Sequence, residues 1–337
     1  MTYLISLIGD YLLPNHLLIK EMKGKYDQLL FITTRQKQGS GRGKRLEQAL
    51  GLKENYVRRV IVSDEDLNEM LAGLKEYHFS SQDKYIVNIS CGTHILAIGA
   101  HEFFAQFQSE FYYIPSGKNK IENVRTSADI PLNYRINVKE YLALHGLRIE
   151  YNEALYRSKE YTFNLFERYK RANFNRYKVP EILNATSCDH DDDRRYFSGA
   201  WFEEYTYHLI KDRMNIKDDC IYTGVKIFRN DSGKQNDNEL DIIYTSGNEL
   251  YIGECKVSLA GTPENRGIKL LEQYMYKLAA ISDEFGLHVH PYIFTLHQFN
   301  RQQAERLPGI KRKMRLIGIK GFIDGHDFKQ NTLHVLR

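Results

Sequence analysis

Over the first 130 residues of the chain, short apolar runs alternate with amphipathic stretches. Strands are predicted for TYLISLIG, DQLLFITT, VRRVIVS, KYIVNIS and EFYYIPS, where apolar residues cluster in runs of strand length. Helices are predicted between them for LPNHLLIKEMKGK, GKRLEQALG, DEDLNEMLAGLKEY and THILAIGAHEFFAQF. This alternation indicates an α/β domain whose mainly parallel, doubly wound sheet carries helices on both faces.

Two strand-to-helix junctions in this domain, residues 9–15 (GDYLLPN) and 88–94 (NISCGTH), carry small and polar residues. Ligands of doubly wound sheets bind beyond the carboxyl ends of the strands, and the free N–H groups of a helix N-terminus suit phosphate oxygens. Ordinary helix caps use the same residue types, so the pattern alone leaves both interpretations open. Segment 38–48 (QGSGRGKRLEQ) is interpreted as a flexible basic loop. It is not a P-loop, because Gln38 and Arg45 stand where that motif needs Gly and Ser or Thr.

The second half of the chain has a different pattern of apolar and polar residues. Residues 136–195 lose the strand pattern, become rich in Tyr, Arg and Asn, and are predicted to form a helical connector after a first domain of residues 1–135. For CDHDDDRR, residues 188–195, a solvated connector is favoured over a metal site, because consecutive acids on one loop cannot converge without strain. A second α/β domain is predicted for residues 196–337. It begins with helix SGAWFEEYTYHLIKD, capped by Ser198, and continues with strand CIYTGVKIF, a hairpin, helix ENRGIKLLEQYMYKLAAISDEFG and strand HVHPYIFTL.

The hairpin of the second domain, NELDIIYTSGNELYIGECK, places charged residues among apolar ones. Gly247-Asn248 is a recognised two-residue hairpin loop, because it supplies the positive φ angles that such turns demand. With that loop Asp241 falls opposite Glu254, and the alternation of strand side chains puts Lys256 on the same face. A three-residue loop would shift the register by one residue and send the two acids to opposite faces.

Like charges placed opposite each other across a hairpin destabilise the strand pair. Lys256 offsets part of this repulsion, and a divalent cation bound by both carboxylates would offset more. Spacing alone is equally consistent with a solvated hairpin face. The apolar neighbours indicate a half-buried strand, where charges need a compensating interaction.

Length and composition agree with a soluble protein of two domains. The 337 residues suffice for two cores, and 42% hydrophobic and 27% charged residues are ordinary values for globular chains. No apolar run reaches the roughly 18 residues that span a bilayer, and the N-terminal MTYLISLIGDYLL lacks the basic start of a signal peptide. The four cysteines show no C-x-x-C spacing, which favours a reduced, cytoplasmic setting.

The net charge of +4 is modest, but it is unevenly distributed. Residues 301–320 contain one acid, Glu305, and seven basic residues: Arg301, Arg306, Lys311, Arg312, Lys313, Arg315 and Lys320. Both a solvated helix face and a surface that binds nucleic-acid phosphates have this composition.

An inward Glu on a helix, followed by a hairpin with Asp and Glu-x-Lys, suits phosphodiester hydrolysis. Carboxylates bind Mg²⁺ or Mn²⁺, and such ions polarise the scissile phosphate and lower the pKa of an attacking water. The arrangement resembles the PD-(D/E)xK nuclease superfamily. Asp241 and Glu254-Cys255-Lys256 match its signature, and Glu203 in GAWFEEY matches its first-helix acid. One departure is that Asn238-Glu239 stands where the motif has Pro.

The resemblance implies a role for each matching residue. Glu203, Asp241 and Glu254 would be the catalytic metal ligands, with Cys255 also among the metal-contacting residues and Lys256 stabilising charge in the transition state. Accessory roles are expected for Glu239, which shares the face of Asp241, and for Gln273 and Lys277 on the following helix.

IGDYLLPNHLLI and NISCGTHILAIGA in the first domain resemble the two ligand-loop signatures of CARF domains, the Rossmann-like sensors of CRISPR-associated proteins. In that family the second loop commonly runs Asn-x-Thr-Gly-Gly-Thr-Lys. Here Ser90, Cys91 and His94 replace the first Thr, one Gly and the Lys. The resemblance implies these residues as ligand contacts: Gly9, Asp10, Asn15, Thr34, Arg35, Ser90, Cys91, Gly92, Thr93 and His94.

The whole chain looks like the CARF nucleases of type III CRISPR defence that cyclic oligoadenylates activate. This resemblance implies a homodimeric, metal-dependent endonuclease for DNA, RNA or both, with cyclic tetra-adenylate as the favoured activator and cyclic hexa-adenylate as the second choice. One alternative is a constitutive repair or restriction-type nuclease whose first domain only dimerises. Another is a non-catalytic sensor that binds nucleic acid through residues 301–320. The intact acid set argues against this second alternative, because a pure binder has no use for clustered acids near phosphates.

Overall fold

A computed structural model describes residues 1–53, 56–151, 154–175, 193, 195–229, 238–259, 266–286 and 288–333. The chain divides into two compact units, residues 1–147 and 148–337. One seven-stranded and one six-stranded sheet form the two β-sheets of the described ranges. Within those ranges, every helix is too short or too polar to cross a membrane.

The N-terminal unit is built on strands β1 (Thr2–Leu7), β2 (Gln28–Thr33), β3 (Arg58–Ile61), β4 (Lys84–Asn88), β5 (Gln108–Tyr113), β6 (Lys120–Asn123) and β7 (Asp129–Pro131). Its helices are α1 (Leu13–Glu21), α2 (Arg35–Gly39), α3 (Arg42–Leu50), α4 (Leu67–Lys75), α5 (His94–Phe104) and α6 (Val138–Leu144). The strand order is β3-β2-β1-β4-β5-β6-β7. The first five strands pair in parallel and the last two are antiparallel additions. The predicted α/β class with a mainly parallel, doubly wound sheet is confirmed.

The central strands of this sheet are apolar on both faces, as expected where helices cover both sides of a parallel sheet. Leu4 and Ile5, which are neighbours on β1 and therefore point to opposite faces, are both fully buried, and so is Val87 on β4. Because β1 lies between β2 and β4, the strand order reverses beside it, and the loops after β1 and β4 meet at the carboxyl edge.

The flexible loop expected over residues 38–48 is wrong. The segment is occupied by the end of α2 and most of α3, which are separated by Gly41 with φ +71°. Leu46, Ala49 and Leu50 are buried and anchor α3, so the apolar face of this short helix outweighs its glycine-rich start.

The C-terminal unit has strands β8 (Leu147–Glu150), β9 (Ile221–Arg229), β10 (Asn238–Ser246), β11 (Glu249–Lys256), β12 (Val289–Thr295) and β13 (Gly321–Ile323) in the order β13-β12-β11-β10-β9-β8. Its helices are α7 (Lys159–Arg171), α8 (Trp201–Met214), α9 (Arg266–Asp283), α10 (Arg301–Leu316) and α11 (Gly325–Gln330). Strands β9, β10 and β11 are antiparallel, whereas β11, β12 and β13 are parallel.

The segment predicted as a helical connector, residues 136–195, includes α6, β8 and α7. Of the acidic stretch CDHDDDRR, residues 188–192 and 194 lie outside the described residues, and Asp193 forms an ion pair with Arg157. The predicted N-cap Ser198 is wrong. A π-helical turn, Tyr196–Ala200, runs directly into α8, so α8 has no free start to cap, and Ser198 donates its hydroxyl hydrogen to the carbonyl of Arg195.

The hairpin β10–β11 has the predicted register. Gly247 and Asn248 form the loop with φ angles of +59° and +66°, and Ser246 pairs with Glu249. The ladder continues to the pair Ile242–Gly253, so the next positions along the two strands are Asp241 and Glu254. The two-residue turn therefore fixes which side chains share a face.

Changing Gly247 to Val should lower the free energy of unfolding of the C-terminal unit by roughly 1–2 kcal/mol, because a side chain at a left-handed position is strained. Gly247→Asn should cost less than Gly247→Val, since asparagine tolerates the left-handed region. Trp201, the chain's one tryptophan, lies in the core that includes Ile242 and Tyr244, so urea unfolding followed by its fluorescence reports on this unit. Equal unfolding midpoints for wild type and Gly247→Val would contradict the assigned turn.

Candidate active site and ligand loops

A compact charge cluster lies on the β10–β11 hairpin. The Nζ atom of Lys256 is 2.8 Å from Oδ2 of Asp241 and 2.6 Å from Oε1 of Glu254. The two acid side chains are only 13% and 3% exposed. The backbone N–H of Cys255 also donates to Oδ2 of Asp241, at 2.7 Å. The structure thus brings the three predicted hairpin residues together on one half-buried face.

A local irregularity in β9 frees the position beside Asp241. Leu240 pairs with Val225 and Ile242 pairs with Thr223, but Gly224 between them has φ +60° and the ladder is interrupted there. The hydroxyl of Thr223 donates to the carbonyl of Asp241 at 2.8 Å in compensation. Strand β9 therefore remains attached to β10, while the space in front of the Asp241 carboxylate stays open.

That space is a cavity of about 320 Å³. Its lining includes Glu203 from the first turn of α8, Asp241 and Glu239 from β10, and Arg195 before the π-helical turn. Arg195 and Glu239 are joined by a 3.3 Å ion pair. The predicted acids Glu203, Asp241 and Glu239 thus border one cavity, with a cation at its rim.

Burial and mutual repulsion shift the pKa values of these groups. Burial, with the Asp241 charge added, raises the pKa of Glu203 to about 8. Burial and Asp241 likewise raise the pKa of Glu254, against the opposing effects of Lys256 and Lys277. Burial lowers the pKa of Lys256, but the charges of Asp241 and Glu254 outweigh it and raise that pKa well above the ordinary value. Lys256 is therefore a cation, and Glu203 is largely protonated at neutral pH.

The donor chemistry of the site fits Mg²⁺ or Mn²⁺, since Glu203, Asp241 and Glu254 offer carboxylate oxygens to a hard cation. In the described part of the chain no three His, Cys, Asp or Glu side chains converge tightly enough to form a ready ion cage. The ammonium of Lys256 lies between two of the acids instead. A divalent ion would take over the charge compensation that Lys256 and the Glu203 proton now supply.

Cys255 differs from its neighbours in orientation. Its side chain is buried in the core cluster on the other face of the sheet, and burial raises the pKa of its thiol well above the ordinary value. Its carbonyl oxygen lies 3.0 Å from Nζ of Lys256. The backbone oxygen of Cys255, rather than its sulfur, is therefore the atom at the site.

Helix α9 lies against the hairpin face and contributes side chains to it. Nζ of Lys277 is 3.9 Å from Oε2 of Glu254, and the ring of Tyr274 lies 5.1 Å from the Lys256 ammonium. Gln273 lies on the exposed side of α9. Of the predicted accessory residues, Lys277 is in contact with the charge cluster.

Sequence reasoning missed three residues at this site: Arg195, Glu204 and Tyr274. Glu204 is buried and accepts a hydrogen bond from the backbone N–H of Tyr156, so it fixes one wall of the cavity. Tyr274 could have been predicted from the sequence, because it is three residues before Lys277 and so shares its side of the helix. The interaction of Glu204 joins positions 48 residues apart and has no local pattern.

In the N-terminal unit the two predicted ligand loops are tied together by buried amides. Asn15 donates to the carbonyl of Leu7, and Asn88 donates to the side-chain oxygen of Asn15 at 2.9 Å. Asn88 in turn accepts hydrogen bonds from the backbone and hydroxyl of Ser90. Asn15 and Ser90 therefore hold the loops in place from within.

Close backbone packing adds to this connection. A Cβ atom on Gly9 would lie 2.7 Å from the backbone nitrogen of Gly92, which itself has φ +86°. Cys91 between the loops is buried, which raises the pKa of its thiol to about 12. Gly9 and Gly92 thus form the closest contact between the two loops, with the buried Cys91 beside it in the second loop.

Other predicted ligand residues face solvent or cap helices. Asp10 is exposed and pairs with Lys37 at 2.6 Å and Arg42 at 3.4 Å, two cations that sequence reasoning missed. The helix-cap interpretation applies to Thr34 and Thr93, whose hydroxyls accept hydrogen bonds from the first turns of α2 and α5. Exposed ligand candidates are Arg35, which with Thr34 lines a cavity of about 540 Å³, and His94 at the start of α5.

Comparison with known families gives one match for each unit. Residues 3–141 match the Card1 CARF domain family, and residues 190–328 match the Card1-like endonuclease domain family. No curated protein matches the chain. The chain therefore consists of a CARF sensor domain followed by a Card1-like endonuclease domain, and the predicted family resemblance is confirmed.

The chain is similar to several solved structures, among them the following three. Protein VC1899 from Vibrio cholerae has a TM-score of 0.75 at 17% identity, covering 99% of this chain and 97% of that one. Can2 from Sulfobacillus thermosulfidooxidans, solved with cyclic tetra-adenylate, has a TM-score of 0.72 at 18% identity, covering 100% and 99%. A type III CRISPR defence DNA nuclease activated by cyclic oligoadenylate has a TM-score of 0.58 at 15% identity, covering 88% of this chain and 46% of that one.

In the presence of a chelator, Glu203→Gln should make the C-terminal unit more stable than wild type, by an amount that grows with pH. The folded protein keeps the Glu203 proton up to about pH 8, whereas the unfolded chain releases it near pH 4.5. Wild-type stability should therefore fall relative to the variant between about pH 4.5 and 8 and match it below that window. Thermal unfolding followed by Trp201 fluorescence measures this, and parallel pH profiles for the two proteins would contradict it.

Proposed function

From a chain that joins a CARF domain to a Card1-like endonuclease domain, we propose a metal-dependent endonuclease that cyclic tetra-adenylate activates. It would cut DNA, RNA or both as a homodimer in the cytoplasm, in type III CRISPR defence, with cyclic hexa-adenylate as the second candidate activator. The observation that carries the proposal is the half-buried set of Asp241, Glu254 and Lys256 with Glu203 beside it. Burying clustered acids costs free energy, and a surface that only binds phosphates would gain nothing from them.

Each residue of the set has a distinct task. Glu203, Asp241 and Glu254, with the carbonyl oxygen of Cys255, would hold Mn²⁺ or Mg²⁺, which when bound supplies Lewis-acid polarisation and an acidified water. Lys256 is positioned by two charge-assisted hydrogen bonds, so its ammonium stays aimed at charge that develops on the scissile phosphate. The Lys277 ammonium neutralises the outer oxygen of Glu254.

The activator proposal rests on the N-terminal unit. The carboxyl edge of its sheet presents the N-termini of α1 and α5 beside each other, where phosphate oxygens find free N–H donors. Exposed Thr93, His94 and Arg35 lie at this edge, and the cations Lys37 and Arg42 flank Asp10. Can2, which shares the fold, was solved with cyclic tetra-adenylate bound.

Asp241→Asn and Glu254→Gln should each lower cleavage by about 100-fold or more with Mn²⁺ present, because a lost carboxylate leaves the cation poorly held. Glu249→Gln is the matched control. This change removes a carboxylate from the same strand as Glu254, but that carboxylate contacts His290 and not the charge cluster. The variant should therefore retain cleavage. Cleavage of labelled DNA and RNA is measured with and without chelator, alongside binding of cyclic tetra-adenylate, which all three variants should keep. Near wild-type cleavage by either cluster variant would show that the site is assigned wrongly.

The double change Thr93→Ala with His94→Ala should raise the cyclic tetra-adenylate concentration for half-maximal cleavage about tenfold, as expected for loss of a hydrogen bond to a charged group. The maximal rate should stay similar, because a ligand activates only through stronger binding to the active state. Thr93→Ser keeps the cap on Leu96 and should behave like wild type. If wild type cleaves equally well with and without cyclic tetra- and hexa-adenylate, the chain is a constitutive nuclease.

A further inference from the structure

The outer surface of α9 carries an exposed stripe that begins at the charge cluster. Exposed positions recur at Lys269, Gln273, Tyr276, Lys277 and Ala280, spacings that fall on one side of a helix. Lys277 at one margin of the stripe touches Glu254. Tyr276 beside it is 52% exposed, so its ring is accessible from solvent. The stripe therefore leads from the acids to a solvent-facing ring.

Helix α10 continues this surface with positive charge. It contains six basic residues and one acid, Glu305. Helices α9 and α10 cross over between the parallel strands β11, β12 and β13, so both cover the sheet face that bears Glu254 and Lys256. The basic helix thus lies on the same side of the sheet as the charge cluster.

One side of α10 is directed at the Tyr276 ring. Lys313 forms a 2.7 Å ion pair with Glu272 of α9, one helical turn before Tyr276. Tyr276 lies four residues after Glu272 on the same side of α9, so the ion pair places the Lys313 ammonium on the Tyr276 side of that helix. Glu272 raises the pKa of Lys313. Arg306 is seven residues before Lys313 and so shares its side of the helix. Glu272 is the one acid of this group, so the group has net positive charge.

The opposite side of α10 provides a natural contrast. Lys311 lies over the ring of Phe322 at 5.6 Å, near strand β13. Arg315, four residues later, shares that side. Two arginines of one helix, Arg306 and Arg315, thus differ in whether they neighbour the Tyr276 ring.

We propose that Tyr276, Arg306 and Lys313 form a binding surface for the nucleic-acid strand on one side of the scissile phosphate. A base of the strand stacks on the exposed Tyr276 ring, and Arg306 and Lys313 contact the phosphates that follow. Aromatic rings between cations are the arrangement that binds extended strands, because bases stack on the rings while the cations neutralise the backbone. Glu272 keeps the long Lys313 side chain extended beside the ring. This surface rests on the proposed nuclease function and adds substrate-contacting residues to it.

The test uses the full-length chain with cyclic tetra-adenylate and a chelator, so that a labelled DNA or RNA oligonucleotide binds without being cut. Tyr276→Ala should weaken binding about tenfold, the scale of one lost base-stacking contact. Tyr276→Phe keeps the ring and should bind like wild type. Arg306→Gln should weaken binding and reduce the slope of log K against log salt by about 0.7–0.9, the value for one phosphate contact. The matched control Arg315→Gln should leave both affinity and slope nearly unchanged.

Three outcomes are decisive. In the first, the wild type binds the oligonucleotide and cleaves it with Mn²⁺, but Tyr276→Ala and Arg306→Gln bind as tightly as the wild type. This result overturns the proposed surface and leaves the nuclease proposal intact. Equal losses for Arg306→Gln and Arg315→Gln also overturn it, because they indicate diffuse attraction by the whole helix. Wild type that binds nucleic acid through Tyr276 but never cleaves with Mn²⁺ supports the surface and overturns the nuclease proposal.

Discussion

A lysine ammonium between two carboxylates on a half-buried hairpin is the interaction on which the C-terminal unit depends. Glu254 is almost inaccessible to solvent, and an uncompensated charge there would cost several kcal/mol. Lys256 supplies the compensation through contacts of 2.6 and 2.8 Å to Glu254 and Asp241. Pairing of the catalytic candidates therefore stabilises the folded hairpin, which ties the stability of the sheet to the chemistry of the site.

Lys256 compensates the negative charge of the acid cluster only in part, and this incomplete compensation bears on function. Three acids share one fully engaged lysine, and burial, with the charge of Asp241 added, raises the pKa of Glu203 to about 8. A neutral Glu203 relieves the repulsion by keeping its proton, and a divalent cation would relieve it by displacing that proton. The folded unit thus keeps an acid cluster that favours cation binding, at the expense of its own stability as the pH rises from about 4.5 to 8.

The sequence was most informative where local rules determine geometry. The turn at Gly247-Asn248 set the strand register, and the register put Asp241 and Glu254 on one face. Interactions between segments that are distant in the sequence could not be predicted in this way. Asn15 and Ser90 matched a ligand-loop pattern, yet their hydrogen bonds through Asn88 are internal to the fold. Lys37 and Arg42 were missed because they reach Asp10 only after Gly41 separates two short helices.

Both candidate sites arise where a glycine interrupts regular structure, just after β1 in the N-terminal unit and within β9 in the C-terminal unit. In the N-terminal unit Gly9 packs directly on Gly92, and any side chain there would push the two ligand loops apart. In the C-terminal unit Gly224 takes a left-handed conformation that breaks the ladder beside Asp241, and Thr223 reattaches the strand through its hydroxyl. A regular strand would direct its backbone groups into the ladder and leave no space for a phosphate. The glycines are visible in the sequence, but their conformations are set by the neighbouring segment, which is why the acids could be predicted while the openings in front of them could not.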